Sequence, residues 1–410
     1  MDICIIGGGL TGLSAALSLS KTQEVTIFEK RPILGGCLAS YDKEKYQIEE
    51  YYHHCFAGDQ RLFALLSDLN LKDKLEWLKG STGYCIDGTI HPLTSPLDIL
   101  RYPHLTIPEK ARLAILTLRA KNFDLGSLDD IPAKEFILDK LGDGIYTSFF
   151  EPLLKSKFGN RRDEVSAAWL LSRIAIRSDR GVEGERLGYL SGGWHELVDA
   201  MALLAEKQGC QIKMNRPVTS ITKNGEKWKV NGELFDIVLA TTPPQEVGRL
   251  IGTDDFTAIP YQGAACLTIG LDRDISKGIY WINMKDQAPY GAVVSHTNFA
   301  PRERYGEEIV YLASYFAEQP APNLKETMLN DFCSRFSVPK TAIHWAELAV
   351  ERLAGPVYTT GFRHLIPDYE KNGIYLSGMF SPPNYPERSM EGSITAGQEV
   401  AAHILGAQHD

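Results

Sequence analysis

The chain has 410 residues, a length that favours two or three domains over a single small core. Hydrophobic residues make up 44% and charged residues 23%, as is usual for a soluble globular protein. A net charge of −9 argues against general nucleic-acid binding, and because no apolar run reaches about 18 residues we expect no membrane-spanning helix.

The first 29 residues follow the order strand, glycine turn, helix, strand. Residues 2–6 (DICII) form a short apolar run that ends at glycine, which predicts a buried parallel strand. Gly7, Gly9 and Gly12 then follow the spacing G-x-G-x-x-G, and residues 24–29 (EVTIFE) read as the next strand. This context makes the glycine pattern informative and predicts a dinucleotide-binding turn.

Each glycine of this turn has a separate physical role. Gly7 permits a sharp turn, Gly9 lets backbone N–H groups approach a diphosphate, and Gly12 lets helix and strand pack closely. The helix start offers unpaired N–H groups and the positive end of its dipole. Glu29 ends the second strand 20 positions after Gly9, where a carboxylate can accept hydrogen bonds from a ribose diol.

A basic residue and a glycine pair follow the acidic strand end, as Arg31, Gly35 and Gly36. In this order the features resemble the FAD-binding amine oxidase superfamily, which includes protoporphyrinogen oxidase-like proteins, phytoene desaturases, monoamine oxidases and, more distantly, UDP-galactopyranose mutases. Many members carry arginine directly after the glycine pair, whereas this chain has Cys37. A fixed cation is therefore missing at that position of the predicted FAD site.

Residues 46–56 (YQIEEYYHHCF) lie where the superfamily brings the chain past the flavin ring, and Tyr51 belongs to this segment. Successive residues of a strand point to opposite faces, so His53 and His54 are a poor metal pair and we predict no metal site. We expect one histidine to face the flavin and the other to pack away from it. Both are candidate catalytic residues, and a structural role stays open for each.

Residues 58–186 are largely helical in pattern, with helices expected at 61–70, 110–120 and 133–141 and strand-like pieces at 83–91. In relatives such an insertion covers the substrate side of the flavin. Residues 149–178 resemble the protoporphyrinogen oxidase-like branch, and they loosely resemble the mutase branch, in which a matching arginine meets the substrate. Arg173 is that candidate here. The alternative is that Lys157, Arg161, Arg162 and Arg173 form a solvated basic face.

Residues 190–240 return to the nucleotide domain, with a helix after Ser191 to Gly193 and strands at 210–214, 217–222, 227–230 and 235–240. The resemblance implies that Val218 contacts the adenine through its main chain and that the turn at Thr241 passes the dinucleotide. Residues 255–364 contain four strand-like runs, a helix at 323–336 and an extended stretch at 343–353, which predict a mostly antiparallel sheet.

The C-terminal part gives the second strong signal for FAD. A strand ends at Gly378, where relatives continue with aspartate and this chain has Met379. A last helix then opens at Glu391-Gly392-Ser393-Ile394, and its N–H groups would point at the flavin edge where negative charge gathers on reduction. A nicotinamide enzyme has no need for this return of the last helix to the first domain.

The prediction is therefore an α/β Rossmann-like FAD-binding domain with a parallel sheet (residues 1–57, 187–254 and 365–410), into which an α+β substrate domain with a mixed or antiparallel sheet (58–186 and 255–364) is inserted. The predicted cofactor is FAD, bound without a covalent link. The predicted cofactor-binding residues are Gly7, Gly9, Leu10, Thr11, Gly12, Glu29, Lys30, Gly35, Gly36, Cys37, Tyr51, Val218, Thr241, Gly378, Met379, Gly392, Ser393 and Ile394.

Three hypotheses for the activity remain open. The favoured one is an FAD-dependent oxidase, dehydrogenase or desaturase that acts on a bulky apolar or amphipathic small molecule by hydride transfer to the flavin. The alternative is a mutase-like isomerase that uses reduced FAD without net redox change, and the third is a non-catalytic flavoprotein or a chaperone-like partner that takes up no FAD. The helices at 110–120 and 133–141 could touch a membrane surface, although packing in the core is the favoured interpretation of their apolar residues, and the electron acceptor is left open.

The seven cysteines are odd in number and scattered, and none forms C-x-x-C. A disulfide framework or zinc site is therefore not expected, and a reducing compartment fits. Because a strand starts at residue 2, we expect no signal peptide and a cytoplasmic location.

Overall fold

A computed structural model describes residues 1–176, 185–256 and 258–406. Residues 177 and 178 of the family-like segment 149–178 and the C-terminal residues 407–410 of the predicted FAD domain lie outside the described part. The strands are β1 (Asp2–Ile6), β2 (Glu24–Phe28), β3 (Ser40–Asp42), β4 (Gln47–Glu49), β5 (Leu75–Gly80), β6 (Thr82–Ile86), β7 (Thr89–Pro92), β8 (Glu185–Leu190), β9 (Gln211–Lys213), β10 (Ile221–Asn224), β11 (Lys227–Val230), β12 (Glu233–Phe235), β13 (Ile237–Ala240), β14 (Tyr261–Leu271), β15 (Trp281–Met284), β16 (Ala292–Ser295), β17 (Glu308–Phe316), β18 (Ile343–Pro356), β19 (Glu370–Lys371) and β20 (Ile374–Leu376).

The helices frame two sheets. They are α1 (Leu10–Leu19), α2 (Gln60–Asp68), α3 (Pro96–Arg101), α4 (Ile107–Arg119), α5 (Ala133–Lys140), α6 (Asp143–Ile145), α7 (Glu151–Phe158), α8 (Ala167–Ile176), α9 (His195–Lys207), α10 (Pro244–Ile251), α11 (Leu324–Arg335) and α12 (Met390–Gly406). Thr106 and Glu109 form a capping box at the start of α4.

The first sheet has six strands in the order β19-β20-β13-β1-β2-β9, and its strands are parallel except for the β19–β20 pair. Its central strand β1 is buried because it carries apolar residues on both faces, with Ile3, Cys4 and Ile5 fully shielded. Helices α1, α9 and α12 pack on this sheet and on one another. The predicted Rossmann-like α/β arrangement is therefore confirmed.

The second sheet has seven strands in the order β18-β14-β17-β16-β15-β6-β7. Every neighbouring pair is antiparallel except β15 with β6, so the predicted mixed, mostly antiparallel sheet is confirmed. The central strand β14 is buried along its whole length. Its strands come from residues 82–92 and 261–356, while those of the six-stranded sheet come from 2–28, 211–240 and 370–376.

One predicted strand begins later than expected. The sequence pattern favoured a strand over residues 217–222, but Arg216 to Ser220 have no regular structure and β10 begins at Ile221. Thr219 N–H instead donates to the side-chain carbonyl of Asn231 at 2.9 Å. This local bond replaces a strand ladder at Val218.

Candidate active site

The main cavity has a volume of about 1780 Å³ and runs from the glycine turn after β1 to the seven-stranded sheet. Ordinary ligand pockets have volumes of roughly 300–1,000 Å³, so this cavity has room for more than one small molecule. Its walls come from the glycine turn, the Gly35–Gly36 loop, the segment 50–59, helices α7 and α8, and the chain before α12. The residues predicted for cofactor and for substrate therefore meet in one continuous space.

The glycine turn has a geometry that only glycine allows. Gly7 has a φ of 107°, in the left-handed region that side chains disfavour. A Cβ on Gly12 would collide with the carbonyl oxygen of Gly7, so α1 could not pack this closely with any other residue. Gly9 is the N-cap of α1 and has no side chain to bond the first N–H groups of the helix, near Leu10 and Thr11. These groups are available to a diphosphate.

Glu29 stabilises the glycine turn through hydrogen bonds and also faces the cavity. Its Oε2 accepts from the Gly8 N–H at 2.8 Å, and its Oε1 accepts from the Arg31 N–H at 2.8 Å. The residue is only 6% exposed and lines the cavity. Each carboxylate oxygen has a second lone pair, so the proposed contact with a ribose hydroxyl fits beside the backbone bonds.

The Gly35–Gly36 loop lies against the glycine turn. Gly35 has a φ of 103°, and its N–H donates to the Gly8 carbonyl at 2.9 Å. Cys37, where relatives carry arginine, lines the cavity. Burial raises the pKa of the Cys37 thiol, and the positive charge of Arg388 opposes that rise. A cation from the C-terminal part of the chain thus stands near the position where the local sequence lacks one.

The C-terminal segment closes the site from the opposite side. Gly378, Met379 and Ser393 line the cavity, and Met379 is half-buried at the place of the aspartate of relatives. Gly392 allows close contact, since a Cβ there would collide with the side chain of Asn384. Ile394 is fully buried and its carbonyl accepts from Ser14 Oγ at 2.8 Å.

Three of the predicted cofactor-binding residues do not line the cavity themselves. Gly12, Gly392 and Ile394 lie behind its surface, where they set the packing of α1 and α12. The other predicted residues line it. Val218 does so from the irregular segment before β10, and Lys30 does so beside Glu351, with which it forms an ion pair of 3.8 Å. Thr241 Oγ1 lies 2.9 Å from the carbonyl oxygen of Ile6, behind the glycine turn.

Both candidate histidines line the cavity, so the expectation that one of them packs away was wrong. Residues 51–54 are not a strand, and their side chains need not alternate. His53 Nδ1 lies 2.7 Å from the carbonyl oxygen of Tyr51, and burial lowers the pKa of His53 to about 4. His54 Nδ1 lies 3.2 Å from the Tyr280 hydroxyl. The His53 ring is therefore neutral at physiological pH.

Arg173 also lines the cavity, where it is partly buried and paired with a carboxylate. Its Nη1 lies 2.9 Å from Glu387 Oε1, and Lys157 Nζ lies 3.4 Å from the same oxygen. The positive charges of Lys157, Arg173 and Arg388 outweigh burial and hold the pKa of Glu387 at about 2. Arg161 and Arg162 instead pair with carboxylates of neighbouring turns, Glu164 and Glu151.

Sequence reasoning missed several cavity residues. Glu387 and Arg388 stand directly before α12, and a charged pair in a proline-rich approach to the last helix was the signal available. Trp281, Asn283 and Tyr315 line the cavity from the seven-stranded sheet, and only their alternation along a strand could have indicated it. In the described part of the chain no group of side chains is arranged to hold a metal ion.

This fold and this cavity define a dinucleotide-binding flavoprotein of the two-sheet type. Residues 10–405 match the sequence profile of the family described as flavin containing amine oxidoreductase, and the chain belongs to that family. Family membership confirms the predicted superfamily and its cofactor, FAD. The glycine turn, Glu29 and the start of α12 fit this cofactor by their backbone donors and close approaches.

The individual proteins and solved structures that resemble this chain have low sequence identity to it. Coproporphyrinogen III oxidase of Staphylococcus aureus is 24% identical over 297 residues, which are 62% of this chain and 63% of that protein. The chain thus matches less than two thirds of the length of this curated relative. The structure of reduced UDP-galactopyranose mutase matches with a TM-score of 0.76 and 18% identity over 100% of this chain and 94% of that one. The structure of cyclohexylamine oxidase from Brevibacterium oxydans matches with a TM-score of 0.71 and 14% identity. The match covers 100% of this chain and 99% of that one.

Proposed function

We propose that this protein is an FAD-dependent oxidase, dehydrogenase or desaturase that acts on a bulky apolar or amphipathic small molecule. The observation that carries the proposal is the continuous cavity, in which the dinucleotide features and the seven-stranded sheet face the same space. A bound flavin supplies the acceptor for a hydride from the substrate. The similarity to a coproporphyrinogen III oxidase and to a zeta-carotene desaturase, whose names denote large substrates, supports the substrate size.

The residues of this chain then have distinct roles. The N–H groups at the start of α1 bind the diphosphate, and Glu29 binds the ribose. Gly392 lets α12 pack closely on Asn384, and Ser393 then presents the start of α12 to the flavin from the cavity wall. His53, neutral and hydrogen-bonded at its Nδ1 side, contributes to the wall beside the ring, while Trp281 and Tyr52, whose rings meet edge to face at 4.8 Å, shield the reacting atoms from water.

The decisive experiment follows the visible spectrum of the FAD-loaded protein under anaerobic conditions. We expect at least one compound from a panel of porphyrinogens, polyenes, aromatic acids and amines to bleach the flavin band. If none of them bleaches it, the proposed hydride transfer is contradicted. A purified protein that neither is yellow nor takes up FAD would instead support the non-catalytic alternative.

A mutase-like isomerase is the second candidate, and one observation favours it: Arg173, the residue that matches the substrate-binding arginine of the mutases, reaches the cavity. This candidate requires that dithionite-reduced protein, but not oxidised protein, converts a nucleotide sugar. A flavin spectrum unchanged by every nucleotide sugar tested would dismiss it.

We further propose that helix α4 contacts a membrane surface. Ile107, Ala111, Ile115 and Leu118 form an exposed stripe at helical spacing, and the side chain of Leu118 is 80% exposed. Residues 96–122 carry five basic and two acidic residues in a chain of net charge −9. Exposed apolar residues flanked by lysine and arginine suit an anionic lipid surface. Among the described helices, none has the length and apolar character needed to cross a bilayer.

A further inference from the structure

We propose that Lys157, Arg173 and Arg388, together with Glu387, form an anion-binding wall that takes a carboxylate or phosphate group of the substrate. The inference rests on the proposed function only in assigning that anion to the substrate. It adds a chemical class that the proposed function leaves open, because "bulky and apolar or amphipathic" says nothing about charge.

Three cations and one carboxylate meet in this wall. Lys157 lies on α7 and Arg173 on α8, and both contact the same Oε1 of Glu387, at 3.4 and 2.9 Å. Arg388 is the next residue in the chain after Glu387, and its guanidinium packs on Gly355, where a Cβ would collide with it. All four residues line the cavity. The wall therefore sets three basic side chains against a single carboxylate.

Three other basic residues of the cavity lining each have a carboxylate of their own. Arg31 binds Glu50 with two contacts of 2.9 and 2.5 Å, Lys30 pairs with Glu351, and Arg249 pairs with Glu246 at 3.0 Å. These pairs leave little net charge along their parts of the cavity. At the wall, by contrast, Lys157 and Arg173 share one carboxylate oxygen, that of Glu387.

The wall is held rigidly and is partly desolvated. Lys157 Nζ lies 4.7 Å above the Trp169 ring, and the Arg173 guanidinium carbon lies 5.6 Å from it. Trp169 itself is 1% exposed. Burial lowers the pKa of Lys157, with the neighbouring Arg173 acting in the same direction. Like charges held this close are costly in a low-dielectric wall, and an anion binding there would relieve the repulsion.

A second observation shows that the wall is not satisfied within the protein. In the described part of the chain, Glu387 Oε2 is buried and has no hydrogen-bond partner, although Oε1 has two. A buried carboxylate oxygen without a donor is costly. A substrate anion that accepts from the cations, next to a hydroxyl or N–H that donates to Oε2, would complete the hydrogen bonding of the cluster.

Lys157 places the wall on the substrate side of the cavity, and Arg388 extends it toward Cys37. Helix α7 packs against β15 and β17 of the seven-stranded sheet, whereas the diphosphate features lie at the glycine turn after β1. The consequence is a selectivity unusual for a family named after amines: a cationic amine is repelled here, and an acid of the same shape is bound.

The test uses the full chain loaded with FAD, so that the diphosphate site is filled. Binding of benzoate, phenylphosphonate, benzyl alcohol and benzylamine, four probes built on one ring, is measured by titration calorimetry and by the flavin absorbance shift. We expect benzoate or phenylphosphonate to bind about 10-fold more tightly than the alcohol, more weakly as salt is added, and benzylamine to bind weakest. The ratio of the affinities for benzoate and phenylphosphonate shows whether the wall prefers a carboxylate or a phosphate group. Equal binding of benzylamine or benzyl alcohol overturns the proposal.

Two variants with opposite expected effects on anion binding extend the test. Arg173→Gln should weaken binding of the preferred anion about 10-fold, whereas Glu387→Gln, which removes the internal negative charge, should strengthen it. Arg249→Gln is the matched control, because Arg249 also lines the cavity but pairs within its own helix. Equal effects of Arg173→Gln and Arg249→Gln overturn the proposal. If Glu387→Gln does not fold, as judged by its melting curve, the comparison of Arg173→Gln with Arg249→Gln still tests the proposal.

The outcome separates this inference from the proposed function. Anion binding with no compound that bleaches the flavin refutes the proposed function and leaves the wall intact. Bleaching by neutral or cationic compounds, with no binding of either anion, refutes the wall and leaves the proposed function intact.

Discussion

Ser14 Oγ donates a hydrogen bond of 2.8 Å to the carbonyl oxygen of Ile394, although 380 positions separate the two residues. The bond joins α1, the first helix, to α12, the last. Gly397 stands beside it, where a Cβ would collide with the carbonyl oxygen of Thr11. The two ends of the chain are therefore packed together at the cavity. Each brings the start of a helix to it, as a single FAD held from both sides requires.

Replacing Gly12 with alanine should abolish FAD retention. The added Cβ would collide with the carbonyl oxygen of Gly7 and lie 3.0 Å from Thr241 Oγ1, so the glycine turn would have to move away from α1. The measurement is the flavin content of the purified protein together with its melting temperature. Gly406→Ala, where no atom of the described residues lies within 4 Å of the added atom, is the control. A yellow Gly12→Ala protein of unchanged stability would contradict the role of this close contact.

Glu29→Gln should weaken FAD binding by about 10-fold or more. The amide presents an NH₂ group in place of one oxygen, and this group cannot accept from the N–H of Gly8 or of Arg31. The turn would loosen and the ribose would lose an acceptor. Fluorescence titration of the FAD-free protein with FAD measures the effect. Glu24→Gln, at the exposed start of β2, should bind as the native chain does, and equal affinities of all three proteins would refute the assignment.

His53 should make the protein less stable as the pH falls from about 6.5 to about 4. Burial lowers the pKa of His53 to about 4, below the 6.5 of an exposed histidine. Within this window the unfolded chain binds a proton that the folded chain does not, so the free energy of unfolding decreases with falling pH. Below the folded pKa the loss is complete, and it amounts to roughly 3 kcal/mol at most.

The measurement compares the free energy of unfolding against pH for the native chain and for His53→Gln. Asp59 titrates with the opposite sign, since burial raises its pKa to about 6 in the folded state, so the difference between proteins is the readout. His53→Gln should flatten the dependence, whereas His364→Gln, at an exposed position, should leave it unchanged. The same slope in His53→Gln and in the native chain would show that folding leaves the pKa of His53 unchanged, which contradicts the prediction.

The exposed stripe on α4 should bind anionic vesicles. We expect the protein to sediment with vesicles that contain phosphatidylglycerol and to stay in solution with pure phosphatidylcholine. Leu118→Glu should reduce sedimentation several-fold without lowering the melting temperature, because Leu118 is 80% exposed. Leu203→Glu changes a leucine that is 53% exposed on α9 and should have no effect. Equal losses in both variants would assign the binding to general hydrophobicity.

The sequence by itself determined the features that depend on neighbours along the chain. The glycine turn from Gly7 to Gly12, the capping box of Thr106 and Glu109, and the strands of both sheets follow from backbone freedom, local hydrogen bonds and hydrophobic period. The glycine turn also predicted the dinucleotide-binding fold, because the strand, the glycines, the helix and the acidic residue all fall within 29 positions.

Only the tertiary structure decided which distant side chains meet. Glu387 is 230 positions from Lys157 and 214 from Arg173, and no local spacing indicates that the three converge. His53 and His54 share the cavity because their segment is irregular, which overrides the alternation that a strand would impose. Such contacts depend on how sheets and helices pack across the whole chain, whereas a sequence pattern reports only the residues a few positions away.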